Sequence, residues 1–175
     1  MHSIIGIFFL IASLFWGDWK NWRKYYSTIL FFIIGDLLYN FLLNHYLLWE
    51  YVPSFDKRWL PNHTFINLFA MLILYPSTVV MYLGNFPEGK SLLKKILYIS
   101  LWVFIYFSKE VVNLLIFGHF SHSYDWNLLW SLCFDVIIFL ILLIHYRYPR
   151  IAIVLSVIII ISFWKLFDVP ISGMN

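Results

Sequence analysis

The sequence predicts an all-α, polytopic transmembrane helix bundle, and three observations predict it. Hydrophobic residues make up 62% of the 175 positions and charged residues 12%, whereas a soluble domain is about 45–50% apolar and about 25% charged. Mean hydropathy is +0.81. The apolar residues also lie in continuous runs rather than in alternation, which favours helices over a barrel. A soluble domain of this length could not cover so much apolar surface. The single cysteine, Cys133, excludes an intrachain disulfide scaffold. One transmembrane domain over residues 1–175 is expected.

Six runs follow one another: 3–16, 27–49, 65–83, 96–117, 128–144 and 151–167. A spanning helix needs about 20 residues. The second, third and fourth runs meet that length. The fifth and sixth sit at the lower limit and are parted by the polar turn Tyr146-Arg147-Tyr148-Pro149-Arg150. The first is short: it spans if it extends into 17–19, and otherwise it is an anchor, leaving five spans. Pro76 interrupts the third run and frees a carbonyl one turn back.

Lys and Arg set the expected orientation. The first, third and fifth connections carry Lys20, Arg23, Lys24, Lys90, Lys94, Lys95, Arg147 and Arg150, against Lys57 and Arg58 in the second and none in the fourth. Odd connections are therefore expected in the cytoplasm and both termini outside. The net charge of +3 is connection charge beside a bilayer and offers no basic face for nucleic acid. At the first connection Trp16, Trp19 and Trp22 recur every third residue, as on one side of a short helix. Indole rings favour the headgroup layer, and Lys20, Arg23 and Lys24 reach lipid phosphates from there. The lipid bilayer is the expected partner. A protein partner or a second copy is left open.

Polar residues inside the runs are costly and must be paired, hydrated or protonated. Asp36, Asn40 and Asn44 recur every fourth residue, forming one stripe on a helix beside Tyr39 and Gly35. The fourth run holds Lys109, Glu110 and Asn113, and the fifth holds Asp135. Their depths in the runs bring three carboxyl groups and one amine together in the middle and outer half of one bundle. Lys109 is expected to neutralise Asp36 or Asp135. Two readings compete: a hydrogen-bonded clasp that sets helix register, and the titratable centre of a proton- or cation-coupled carrier. In the fourth connection His119, His122 and Asp125 have a spacing that supplies three ligands from a turn or helix end, acceptable to zinc or copper. Motifs for zinc proteases, serine hydrolases, phosphate loops and dinucleotide binding do not occur, so no enzymatic chemistry is expected.

The segments Trp16-Gly17-Asp18-Trp19-Lys20-Asn21-Trp22, Lys24-Tyr25-Tyr26 and Ile34-Gly35-Asp36-Leu37-Leu38-Tyr39-Asn40 resemble a family of small uncharacterised multi-pass membrane proteins of spore-forming Firmicutes, bacilli and clostridia. The resemblance is strongest over the first third of the chain. It implies a bacterial plasma membrane and a sporulation setting, and it transfers no catalytic residue. The leading functional expectation is a structural or accessory membrane component. The alternatives are the carrier and an outer-face metal-binding protein.

Overall fold

The computed structural model describes residues 1–170; the rest of the expected domain, 171–175, lies outside the described residues. The fold is all-α apart from one pair of three-residue strands. We number the helices α1 (His2–Trp16), α2 (Tyr26–Leu42), α3 (His63–Gly84), α4 (Leu92–Ile116), α5 (Leu128–Arg147) and α6 (Pro149–Leu166). Among the described residues α3 to α6 are long and apolar enough to cross a membrane, while α1 and α2 are shorter apolar helices.

Local chemistry explains most boundaries. Asn62 caps α3 by accepting from Phe65 N at 3.1 Å, and Asn127 caps α5 by accepting from Leu129 N and Trp130 N at 3.0 and 3.3 Å. Pro149 opens α6, where its missing N–H and fixed φ cost nothing. Only Tyr148 separates α5 from α6. Helix α3 runs through Pro76 without breaking, because a π turn at Ala70–Leu74 takes up the displaced hydrogen bonding. A second π turn, Val112–Ile116, closes α4.

The second apolar run does not stay helical to its end. Helix α2 stops at Leu42, and Trp49 belongs to a strand. This strand, β1 (Trp49–Tyr51), pairs antiparallel with β2 (Phe120–His122), with Tyr51 opposite Phe120. Aromatic side chains suit such a pleated surface: the Trp49 ring stacks on Phe120 at 5.4 Å and on Tyr39 at 4.8 Å.

Helix α3 is central. Val79, Val80 and Tyr82 are 0% exposed, and 72% of its apolar window is buried against 6% for α6. Helix α1 packs on α3, α2 on α3 and α5, and α5 on both α4 and α6. The outer surface is apolar, with Phe8, Phe15, Leu72, Phe104 and Val154 all exposed. That pattern is compatible with a membrane protein.

The connections sort to two ends. At the strand end, Asp56 Oδ2 accepts from Ser3 N (2.8 Å), Ser3 Oγ (2.7 Å) and the Met1 ammonium (3.1 Å), and Ser54 also donates to its carboxylate. His2 Nε2 donates to the Val52 carbonyl at 2.9 Å. Leu48, Trp126, Phe167 and Val169 form a second small core there. Burial opposes the Asp56 charge, but the bonds from Ser54, Ser3 and the terminal ammonium outweigh it and hold the carboxyl well below the usual range. At the opposite end the first, third and fifth connections meet. Asp18 N donates to Val80 O at 3.3 Å, Asn85 Nδ2 to Trp16 O at 2.7 Å, and Arg147 pairs with Glu88. Odd and even connections therefore lie at opposite ends of the body.

Candidate functional site

Two directed chains of hydrogen bonds end on carboxyl groups inside the bundle. The first begins at β1. Tyr51 N donates to His63 Nδ1 at 2.9 Å, so that nitrogen carries no proton, and His63 Nε2 donates to Asn40 Oδ1 at 2.8 Å. The Asn40 amide then donates to Asp36, at 2.8 Å to its carbonyl and 3.3 Å to Oδ1. Tyr75 from α3 donates to Asp36 Oδ2 at 2.7 Å. The second chain begins at Trp126, whose Nε1 donates to Ser131 Oγ at 2.8 Å, and Ser131 donates to Glu110 Oε1. His122 Nε2 meets the same oxygen at 2.8 Å. The helices place these groups, and the paired strands supply the outermost donors.

These carboxyl groups border a cavity of about 640 Å³ between the helices. Asp36, Lys109, Glu110, Asn113 and Asp135 all line it, together with Tyr51, Tyr75 and Tyr106. The remaining wall is chiefly aliphatic and aromatic. The Lys109 ammonium lies over the Tyr106 ring at 4.4 Å. Among the described residues no carboxylate oxygen comes within 4.0 Å of it. Asp135 is 6% exposed, and its Oδ2 has no hydrogen-bond partner, nor has Asn113 Oδ1. Buried polar atoms are normally paired. Here both residues line the cavity, as in a site built for a polar or charged ligand.

The structure brings some of the sequence-predicted residues together and separates others. It gathers Asp36, Asn40, Lys109, Glu110, Asn113 and Asp135. Asn44 is not with them: α2 has already ended, and Asn44 is exposed in a turn. Lys109, expected to neutralise Asp36 or Asp135, makes no contact ion pair with either among the described residues. Its ammonium lies over the Tyr106 ring. The expected metal triad is also not assembled, and among the described residues no three His, Cys, Asp or Glu side chains group to hold a metal ion. The reason is local. Only His122 lies in the strand Phe120–His122; His119 precedes it and Asp125 follows it in a turn. His122 turns to Glu110, His119 stacks on Phe117 at 5.9 Å, and Asp125 is exposed in a left-handed turn.

The tryptophan segment is partly as expected. Lys20, Trp22, Arg23, Lys24 and Trp16 are exposed at the end of the body. Trp19 instead turns inward, and its Nε1 donates to Ser13 Oγ at 3.2 Å. Asp18 causes this fold-back by accepting from Asn21 at 2.9 Å and Tyr25 at 2.7 Å. The Tyr25 hydroxyl is the first of the groups that hold this carboxyl below its ordinary range, with Asn21 adding to it.

Sequence reasoning missed Tyr75 and Ser131 as partners of the acids, and His63 as the partner of Asn40. A usable signal existed: each acid in an apolar run needs donors, and these polar side chains lie at matching depth on other helices. Compared with family models, curated proteins and solved structures, the chain matches none. The functional reading therefore rests on the chemistry of this cavity.

Proposed function

We propose that this chain is a small integral membrane carrier, with six spans, that moves a cation in exchange for or together with a proton through the cavity between α2, α4 and α5. The observation that carries the reading is the cavity itself, bordered by Asp36, Glu110, Asp135 and Lys109. A purely structural clasp needs a dry core in which every polar group is matched. A carrier needs an open volume that reaches a carboxyl group able to exchange its proton for a cation. The separation of odd from even connections supports six crossings, α1 and α2 included. The excess of Lys and Arg on odd connections supports a cytoplasmic tryptophan end and termini outside, in a bacterial plasma membrane. The reading assigns no bond-breaking chemistry and no metal.

The clasp remains the second reading for one part of the site. Tyr75 and Asn40, the latter held by His63, satisfy Asp36 within the protein, so Asp36 serves register and Asp135 serves exchange. The test uses proteoliposomes containing a trapped pH-sensitive dye and given gradients of Na⁺, K⁺ or tetramethylammonium in turn. Cation-dependent pH change in the wild type, lost in Asp135→Asn, is expected. No cation-dependent flux from folded wild-type protein would overturn the carrier reading and leave a structural or accessory component.

A further inference from the structure

We infer that the cavity takes a lipophilic organic cation, an amine or quaternary ammonium or phosphonium on an apolar body, and that this ligand enters sideways from the bilayer between α2 and α6. The inference rests on the carrier reading and names its substrate class. Three independent features carry it.

The first is the balance of charge. Asp36, Glu110 and Asp135 line the cavity with Lys109, and His122 lies against Glu110. An incoming cation offsets the excess of carboxylates, and an anion adds to it. The second is the wall. The cavity is lined by the aromatic side chains of Phe31, Tyr51, Tyr75, Tyr106 and Phe134 among aliphatic ones. A ring face attracts a poorly hydrated cation, and Tyr106 already holds the Lys109 ammonium in this way. A strongly hydrated inorganic ion needs oxygen ligands at short range, which this wall supplies sparsely.

The third feature is the way in. Helix α2 contributes Leu30, Ile34 and Leu38 to the cavity wall, and α6 contributes Ile153 and Val157. Yet α2 packs on α3 and α5, and α6 packs on α5. The two helices thus border one volume while packing chiefly on other neighbours. Ile34 is 53% exposed and Val157 is 50% exposed. At this depth the surroundings are acyl chains, so only a solute that partitions into hydrocarbon arrives by this route. The volume of about 640 Å³ falls within the roughly 300–1,000 Å³ typical of pockets for compact organic ligands.

The experiment pairs two ions of one shape and opposite sign. Purified protein in neutral-detergent micelles, with empty micelles subtracted, is titrated with tetraphenylphosphonium and with tetraphenylborate. The phosphonium should bind and quench tryptophan fluorescence, and the borate should not. Asp135→Asn should weaken the phosphonium at least tenfold. Ile34→Trp and Val157→Trp place bulk in the gap at positions already half-exposed. They should slow tetraphenylphosphonium uptake in proteoliposomes severalfold more than they slow tetramethylammonium-driven proton flux. Equal binding of both ions would show simple apolar partition and overturn the inference. No phosphonium binding with cation-driven flux intact would overturn the substrate class and leave the carrier standing. Loss of both would remove the carrier reading as well.

Discussion

Tyr75→Phe removes a single hydroxyl from the α2–α3 contact and little else. Tyr75 and Asp36 are 6% and 7% exposed, and the hydroxyl donates to Asp36 Oδ2 at 2.7 Å. The Tyr75 ring stacks on Phe32 at 4.0 Å, and phenylalanine keeps that stack, so no void opens. A hydrogen bond to a charged group is worth about 1.5–3 kcal/mol. Asn40 still donates to the other carboxyl oxygen at 3.3 Å, which places the loss in the lower part of that range, at about 1.5–2 kcal/mol. At about 2–4 °C per kcal/mol for a chain of this size, Tm should fall by roughly 3–8 °C. The assay is thermal unfolding in detergent followed by tryptophan fluorescence, with exposed Tyr26→Phe as control. The partner is identified by repeating the change in Asp36→Leu. There the hydroxyl is buried without an acceptor, and its removal should become neutral or stabilising. An equal loss in both backgrounds, or a Tyr75→Phe shift no larger than that of Tyr26→Phe, would refute the reasoning.

Three further outcomes are expected. Gly84→Ala would put a methyl group 2.8 Å from Asp18 Cβ and 3.3 Å from its backbone nitrogen, so the first connection must move. A loss of about 1–3 kcal/mol should appear in the same melt, and unchanged Tm would contradict the contact. Asp56 has its carboxyl pKa depressed in the folded protein, so its contribution is present above its unfolded value of about 3.9 and fades as pH drops below it. Between pH 5 and about 2.5, wild-type Tm should therefore fall more steeply than that of Asp56→Asn, and parallel profiles would refute this. In a Cys133→Ser background, single cysteines at positions 94 and 123 should label from intact cells only at 123; preferential labelling at 94 would reverse the orientation.

The class of the protein and the positions of its helices were legible along the chain. Hydropathy is summed over one segment at a time, so each of the six runs could be recognised without knowing its neighbours. Depth could be read in the same way, which is why Asp36, Lys109, Glu110 and Asp135 were expected to converge and do line one cavity. Two local rules were misjudged. The polar turn at Asn44 ends α2 before Trp49, and the segment Phe120–His122 forms a strand.

What the tertiary structure alone decided is which polar groups meet. The sequence placed an ammonium among acids, but its direction depends on the side chain's path, and Tyr106 captures Lys109 before any carboxylate does. Glu110 finds His122 and Ser131, which lie on a strand and on another helix. The pairing of β1 with β2 joins connections some seventy residues apart, and no local pattern encodes that distance. The cavity is the clearest case. It exists because α2 and α6 pack chiefly on neighbours other than each other, and an unfilled volume is a property of how helices are arranged in three dimensions, for which hydropathy along one chain carries no signal.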